Sequence, residues 1–130
     1  MSANPAFAAT PKQAAAQVST ANTNRDGTGT TALLATGGSS GSRIERVRMV
    51  AAGTTTAGVL RLYLSLDGGT TKQLLRETLV TAATPSTTVA VFMAEEVFPG
   101  GLQLPDASAQ LYASTHNGET FNLFAEGGDY

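Results

Sequence analysis

The chain has no cysteine and no tryptophan, a single histidine, and charged residues at only 14% of its 130 positions. Each shortage removes a class of protein. Without cysteine there is neither a disulfide framework nor a thiolate metal site, and the redox compartment stays undecided. One histidine and no Asp-rich loop of calcium-binding spacing leave little to hold a metal, so no metal or other cofactor is expected. With three tyrosines (Tyr63, Tyr112 and Tyr130) there is little material for an exposed platform on which sugars or single-stranded bases stack. Eight Lys+Arg against ten Asp+Glu give a net charge of −2. Neutralising nucleic-acid phosphates needs a clustered basic surplus, so no direct nucleic-acid partner is expected. The apolar runs fall far short of the ~20 residues that cross a bilayer, and residues 1–9 lack a basic start and a continuous apolar run. Neither a membrane span nor a secretory leader is expected.

What is present divides in two by composition. Residues 1–42 carry three charged side chains (Lys12, Arg25, Asp26) and one aromatic (Phe7) amid Ala, Thr, Ser, Gly and Asn. Burying Ala and Thr does not offset about 1–2 kcal/mol per residue of backbone entropy, so this half reads as an extended arm that a partner must order. Pro11 to Thr20 reads as a helical turn or two, short of the ~12–15 residues an isolated helix needs. Gly37 to Ser42 reads as a flexible joint, placing the start of the folded domain, residues 43–130, at Arg43. A chain of this length buries roughly two-thirds of its unfolded surface and needs no staple.

From Arg43 the pattern becomes short segments of period two. In Leu60 to Asp67 four leucines point one way, and Arg61, Tyr63, Ser65 and Asp67 point the other, a strand with one wet face. Asp67-Gly68-Gly69-Thr70 reads as a hairpin turn, and Lys72 to Thr81 as the returning strand. Val89 to Phe98 is apolar on both faces, which predicts cover from a second sheet or a neighbouring subunit. Ala109 to His116 and Thr120 to Ala125 flank Asn117-Gly118, a two-residue hairpin signal. Arg43 to Val50 adds a further strand, and Gly101 to Leu104 a seventh. Regularly spaced short strands with Gly/Pro turns and no helical stripe predict an all-β fold, an antiparallel β-sandwich or jelly roll.

No constellation for chemistry emerges. His116 lacks a nucleophile and an orienting carboxylate, and reads as a turn or interface residue. Glu95-Glu96 sit on opposite faces of a strand and cannot flank one substrate bond, so one is read as solvated and the other as meeting an arginine. The Gly37–Ser42 string has neither the lysine nor the strand-to-helix context of a phosphate loop. No enzymatic activity is expected. Arg46, Arg48 and Arg61, on polar strand faces, read as a seam between subunits.

Several runs carry a resemblance: Phe98-Pro99-Gly100-Gly101-Leu102-Gln103-Leu104-Pro105, Leu111-Tyr112-Ala113-Ser114-Thr115-His116-Asn117-Gly118-Glu119-Thr120-Phe121-Asn122, the terminal Gly127-Gly128-Asp129-Tyr130, and Ala52-Gly53-Thr54-Thr55-Thr56-Ala57-Gly58. In these the chain, from Arg43 to Tyr130, resembles small proteins encoded among the head genes of tailed bacteriophages. Members with a role are similar to head decoration or cement proteins, β-sandwich subunits that clamp neighbouring capsid subunits. The resemblance implies a homotrimer, the major capsid protein as partner and the outer capsid surface of the virion as location. On that reading the arm docks through Phe7, Pro11, Val18, Leu33 and Leu34, and Arg46, Arg48 and Arg61 make polar contacts. The alternative is a ligand- or receptor-binding β module, a tail component or glycan-binding head, with polar loops around Asp67, Asp106 and Asn117 as its site.

Overall fold

Leucine at every second position makes a strand of the segment around Leu60, and the same period recurs along the chain. The structure, a computed structural model, describes residues 10–130. Eight strands form: β1 (Thr10–Val18), β2 (Ala32–Thr36), β3 (Ser42–Ala51), β4 (Gly58–Ser65), β5 (Gln73–Val80), β6 (Met93–Leu104), β7 (Gln110–Thr115) and β8 (Phe121–Asp129). No described residue is helical. Two antiparallel four-stranded sheets result, in the orders β1-β8-β3-β6 and β2-β7-β4-β5. The fold is all-β, as the period-two pattern predicts. Apart from β4 and β5, successive strands lie in opposite sheets, which is the jelly-roll connectivity of a β-sandwich.

The core lies between the sheets. Leu60 and Leu62 of β4 and Leu111 and Ala113 of β7 cluster with Ile44, Val47 and Met49 of β3 and Phe121, Leu123 and Ala125 of β8, none more than 1% exposed. A fully buried aliphatic or aromatic side chain contributes roughly 1.5–3 kcal/mol of transfer free energy. In β3 the register shifts between Ile44 and Arg46, where Glu45 and Arg46 are both exposed. This bulge returns Val47 to the interior after Ile44.

The domain boundary lies elsewhere than Arg43. β1 and β2 come from the half read as an arm, and each is the edge of one sheet. The expected helical turns from Pro11 are strand instead, because β1 pairs with β8 from Thr10↔Asp129 to Val18↔Phe121. That ladder satisfies a backbone whose Ala14 and Ala16 pack on the core and whose Val18 is buried. The Gly/Ser joint is an ordered crossover. Gly37 N–H donates to the Ala109 carbonyl, Gly38 N–H to Ser42 Oγ and Gly41 N–H to the Gly38 carbonyl. A Cβ at Gly37 would collide with the Asp106 carbonyl, so the close passage requires glycine.

Three further expectations change. Gly101 to Leu104 is the end of β6 and not a separate strand. Asn117-Gly118 is no hairpin, since β7 and β8 belong to different sheets. Asn117 instead ties the β7–β8 turn to the β3–β4 loop, its Nδ2 donating to Thr56 Oγ1 and the Ala57 carbonyl at 3.0 and 3.1 Å. Finally, β6 is covered on one side alone: Phe98 is buried, whereas Met93 and Val97 on the other side are 62% and 53% exposed.

Candidate functional site

Two charged constellations lie on the outer faces of the two sheets. On the β2-β7-β4-β5 sheet the face expected to be wet is covered by the β1–β2 loop, residues 19–31. Arg61 and Tyr63 of β4 are both 0% exposed beneath it. Tyr63 OH donates to the Asn24 carbonyl at 2.8 Å. Arg61 spends each nitrogen: Nε on Glu77 Oε2 at 2.8 Å, Nη1 on the Asn22 carbonyl at 2.9 Å, and Nη2 on His116 Nδ1 at 3.1 Å. A guanidinium only donates, so Nδ1 is the acceptor and the His116 ring carries its proton on Nε2. Arg25, from the loop, donates to the same Glu77 oxygen at 2.7 Å.

Asn22 organises the loop. Its Nδ2 donates to the Thr28 and Thr30 carbonyls at 3.0 and 2.9 Å, its Oδ1 accepts from Asn24 N–H at 3.0 Å, and its own N–H donates to the Thr115 carbonyl at 2.8 Å. A polar loop thus covers Arg61 and Tyr63 with their hydrogen bonds made.

On the outer face of the β1-β8-β3-β6 sheet, Arg46 and Arg48 share Glu126. Arg46 Nε lies 2.8 Å from Oε1 and Arg48 Nη2 lies 2.5 Å from Oε2. Arg46 Nη1 also reaches Glu95 of β6 at 3.3 Å. Glu96, facing the other way, accepts from Thr78 Oγ1 at 3.0 Å and sits 3.9 Å from Arg76. Both members of the Glu95-Glu96 pair therefore meet an arginine, on opposite sides of β6.

The residues expected to contact a partner separate by position. Pro11, Leu33, Arg46 and Arg48 are exposed. Val18, Leu34 and Arg61 are turned into the protein's own interior, at 6%, 3% and 0% exposure. The first two are core residues because β1 and β2 belong to the sandwich, and the third because the 19–31 loop closes over it. Phe7 lies outside the described residues. The polar loops around Asp67, Asp106 and Asn117 do not converge either. The β4–β5 and β6–β7 loops meet at one end of the sandwich, where Gly68 N–H donates to the Ser108 carbonyl, and the β7–β8 turn is at the other. The glutamate and loop asparagine that hold Arg61 escape a sequence reading. The one local signal is Arg61 and Tyr63 at alternate positions of a leucine strand.

Five carboxyls are held below their ordinary values. Arg25 does this for Glu77, with Arg61 adding to it against the upward pull of burial. The Ser42 hydroxyl and then Lys12 do it for Asp129. At Glu126 burial pulls upward, and Arg46 and Arg48 outweigh it. Asp67 is lowered by the Thr71 N–H and the Ser65 hydroxyl, and Asp26 by Thr28. A carboxyl depressed in the folded state contributes stability above its unfolded value, which is lost as pH falls through the folded one. The thermal midpoint is therefore expected to hold near neutrality and to fall as pH drops through and below the ordinary values of 4.5 for Glu and 3.8 for Asp. Thermal melts across a pH series check this, and a midpoint that rises on acidification would contradict it.

Among the described residues no group of three or more His, Cys, Asp or Glu side chains is placed to hold a metal ion. Neither a scan of protein-family models nor a search of curated proteins finds a match to the chain.

Proposed function

We propose that this protein is a non-enzymatic structural component of a tailed-phage virion, a capsid decoration or cement protein that binds the outside of the assembled head. The observation that carries the reading is the outer face of β6. Met93 and Val97 stand 62% and 53% exposed on an edge strand, with Glu95, Arg46, Arg48 and Glu126 beside them. Exposed apolar side chains next to charges are suited to a protein partner. The resemblance of residues 43–130 to phage head proteins supplies the partner's identity, and the β-sandwich is the fold that resemblance implies. As a homotrimer, the protein would contact several major capsid subunits at once, so that weak patches combine through effective concentration. The separation of Asp67 and Asp106 from Asn117 counts against a ligand site made jointly by those loops.

The test is native mass together with co-sedimentation on mature capsids of a tailed phage whose genome encodes this chain. Saturable binding by a trimer at a fixed ratio to the capsid subunit is expected. Met93→Ser/Val97→Ser should leave the unfolding free energy within about 0.5 kcal/mol of the parent, since both residues are more than half exposed. It should weaken capsid binding at least tenfold. A monomer that ignores capsids would overturn the proposal, and full-strength binding by the double variant would remove β6 from the contact.

A further inference from the structure

Where β1 ends and β2 begins, the two ends of the 19–31 loop flank a partly open pocket of about 240 Å³, most of whose polar residues also face solvent and whose floor is Ser114. Its polar lining is Gln17, Ser19, Thr20, Thr30, Thr31 and Ser114. These are neutral groups, and all of them except the amide of Gln17 are hydroxyls that both donate and accept. No charged side chain and no aromatic ring lines it. An ion would find no countercharge there and a base no stacking surface.

Ser114 is the second observation. It is 1% exposed, and its Oγ has no hydrogen-bond partner among the described residues. Its cross-strand neighbour Arg61 does not serve, because the guanidinium is directed to Glu77, the Asn22 carbonyl and His116 and makes no bond to Ser114. On the same covered side, Tyr63 and Tyr112 each have a partner for their hydroxyl. Leaving a buried hydroxyl unpaired is destabilising, and a ligand with hydroxyls of its own relieves it.

We infer that this cavity is a binding site for a neutral polyhydroxylated ligand, a single pyranose residue of a saccharide, with Ser114 Oγ as its innermost hydrogen-bond partner. The space is several times what one water needs, and the hydroxyl lining can pair with a ring of alternating donors and acceptors. The γ-methyls of the threonines, with Val18 and Ala32, supply apolar contact for the C–H face of the sugar. The site needs no second subunit and does not depend on the capsid reading.

Backbone amide shifts of the full chain, titrated with methyl α-glucoside, methyl β-galactoside, methyl α-rhamnoside and N-acetylglucosamine, test it. At least one sugar is expected to give saturable shifts confined to residues 17–20, 30–32 and 114. Ser114→Ala should weaken that sugar's binding about tenfold while leaving the unfolding midpoint unchanged or raised, because the removed hydroxyl leaves no partner behind. Thr31→Val, of similar shape, provides a second variant and should weaken binding in the same direction. No saturable shift at these amides with any of the four sugars, or undiminished binding by both variants, would overturn the inference.

Discussion

Glu77→Gln is expected to lower unfolding stability by about 3 kcal/mol, the lower end of what is lost when one partner of a buried ion pair is removed. The lower end applies because the Glu77 side chain keeps 30% of its surface in water, whereas Arg61 keeps 0%. The loss comes from Arg61, which keeps hydrogen-bond acceptors, the new amide oxygen among them, but no countercharge beneath the loop. Arg61→Met/Glu77→Leu removes both charges, and should recover at least half of that loss even though Arg25 and the Asn22 carbonyl each forfeit a partner. Urea unfolding of the parent, Arg61→Met, Glu77→Leu and the double variant measures the coupling. A Glu77→Gln protein within about 0.5 kcal/mol of the parent would show that this charge pair does not hold the 19–31 loop.

Deletion of residues 1–42 is expected to abolish cooperative folding. On a sequence reading this cut spares the domain, but in the structure it takes an edge strand from each sheet. Val18, Leu34 and Ala35 leave the core, and the ladder from Thr10↔Asp129 to Val18↔Phe121 is lost. The two larger side chains alone represent roughly 3–6 kcal/mol of burial, against a typical total stability of about 5–15 kcal/mol. Amide spectra and thermal melts decide: collapsed dispersion and no transition are expected, and a sharp transition would contradict the strand assignment. A chain beginning at Thr10 keeps all eight strands, so it separates any contribution of Phe7 to capsid binding from an effect on folding.

Legibility in the sequence followed the strength of local contrast. β4 stood out because leucine against Arg and Tyr is a sharp alternation, and its hairpin to β5 is local in the chain. β1 did not, because Lys12, Ala14, Ala16 and Val18 alternate with Gln13, Ala15 and Gln17, a contrast that alanine on both faces blunts. Its partner lies 119 residues away at the first rung, Thr10↔Asp129. Asn117-Gly118 marked a turn correctly, but which sheet each flanking strand joins is decided by distant pairings. The burial of Arg61 was invisible for the same reason: its cover is a polar loop that composition alone reads as linker.

β8, the eighth strand in chain order, is central in its sheet, held between β1 and β3. Nothing can pair along both of its edges until residues 121–129 have left the ribosome, so β1 and β3 emerge early and wait without the strand that joins them. Pairings this distant in the chain, Thr10 with Asp129 at the far rung, make assembly slow for a protein of this size. A chain cut short of the nine residues Phe121–Asp129 has no joined first sheet: β1 loses its sole partner and β3 keeps β6 alone.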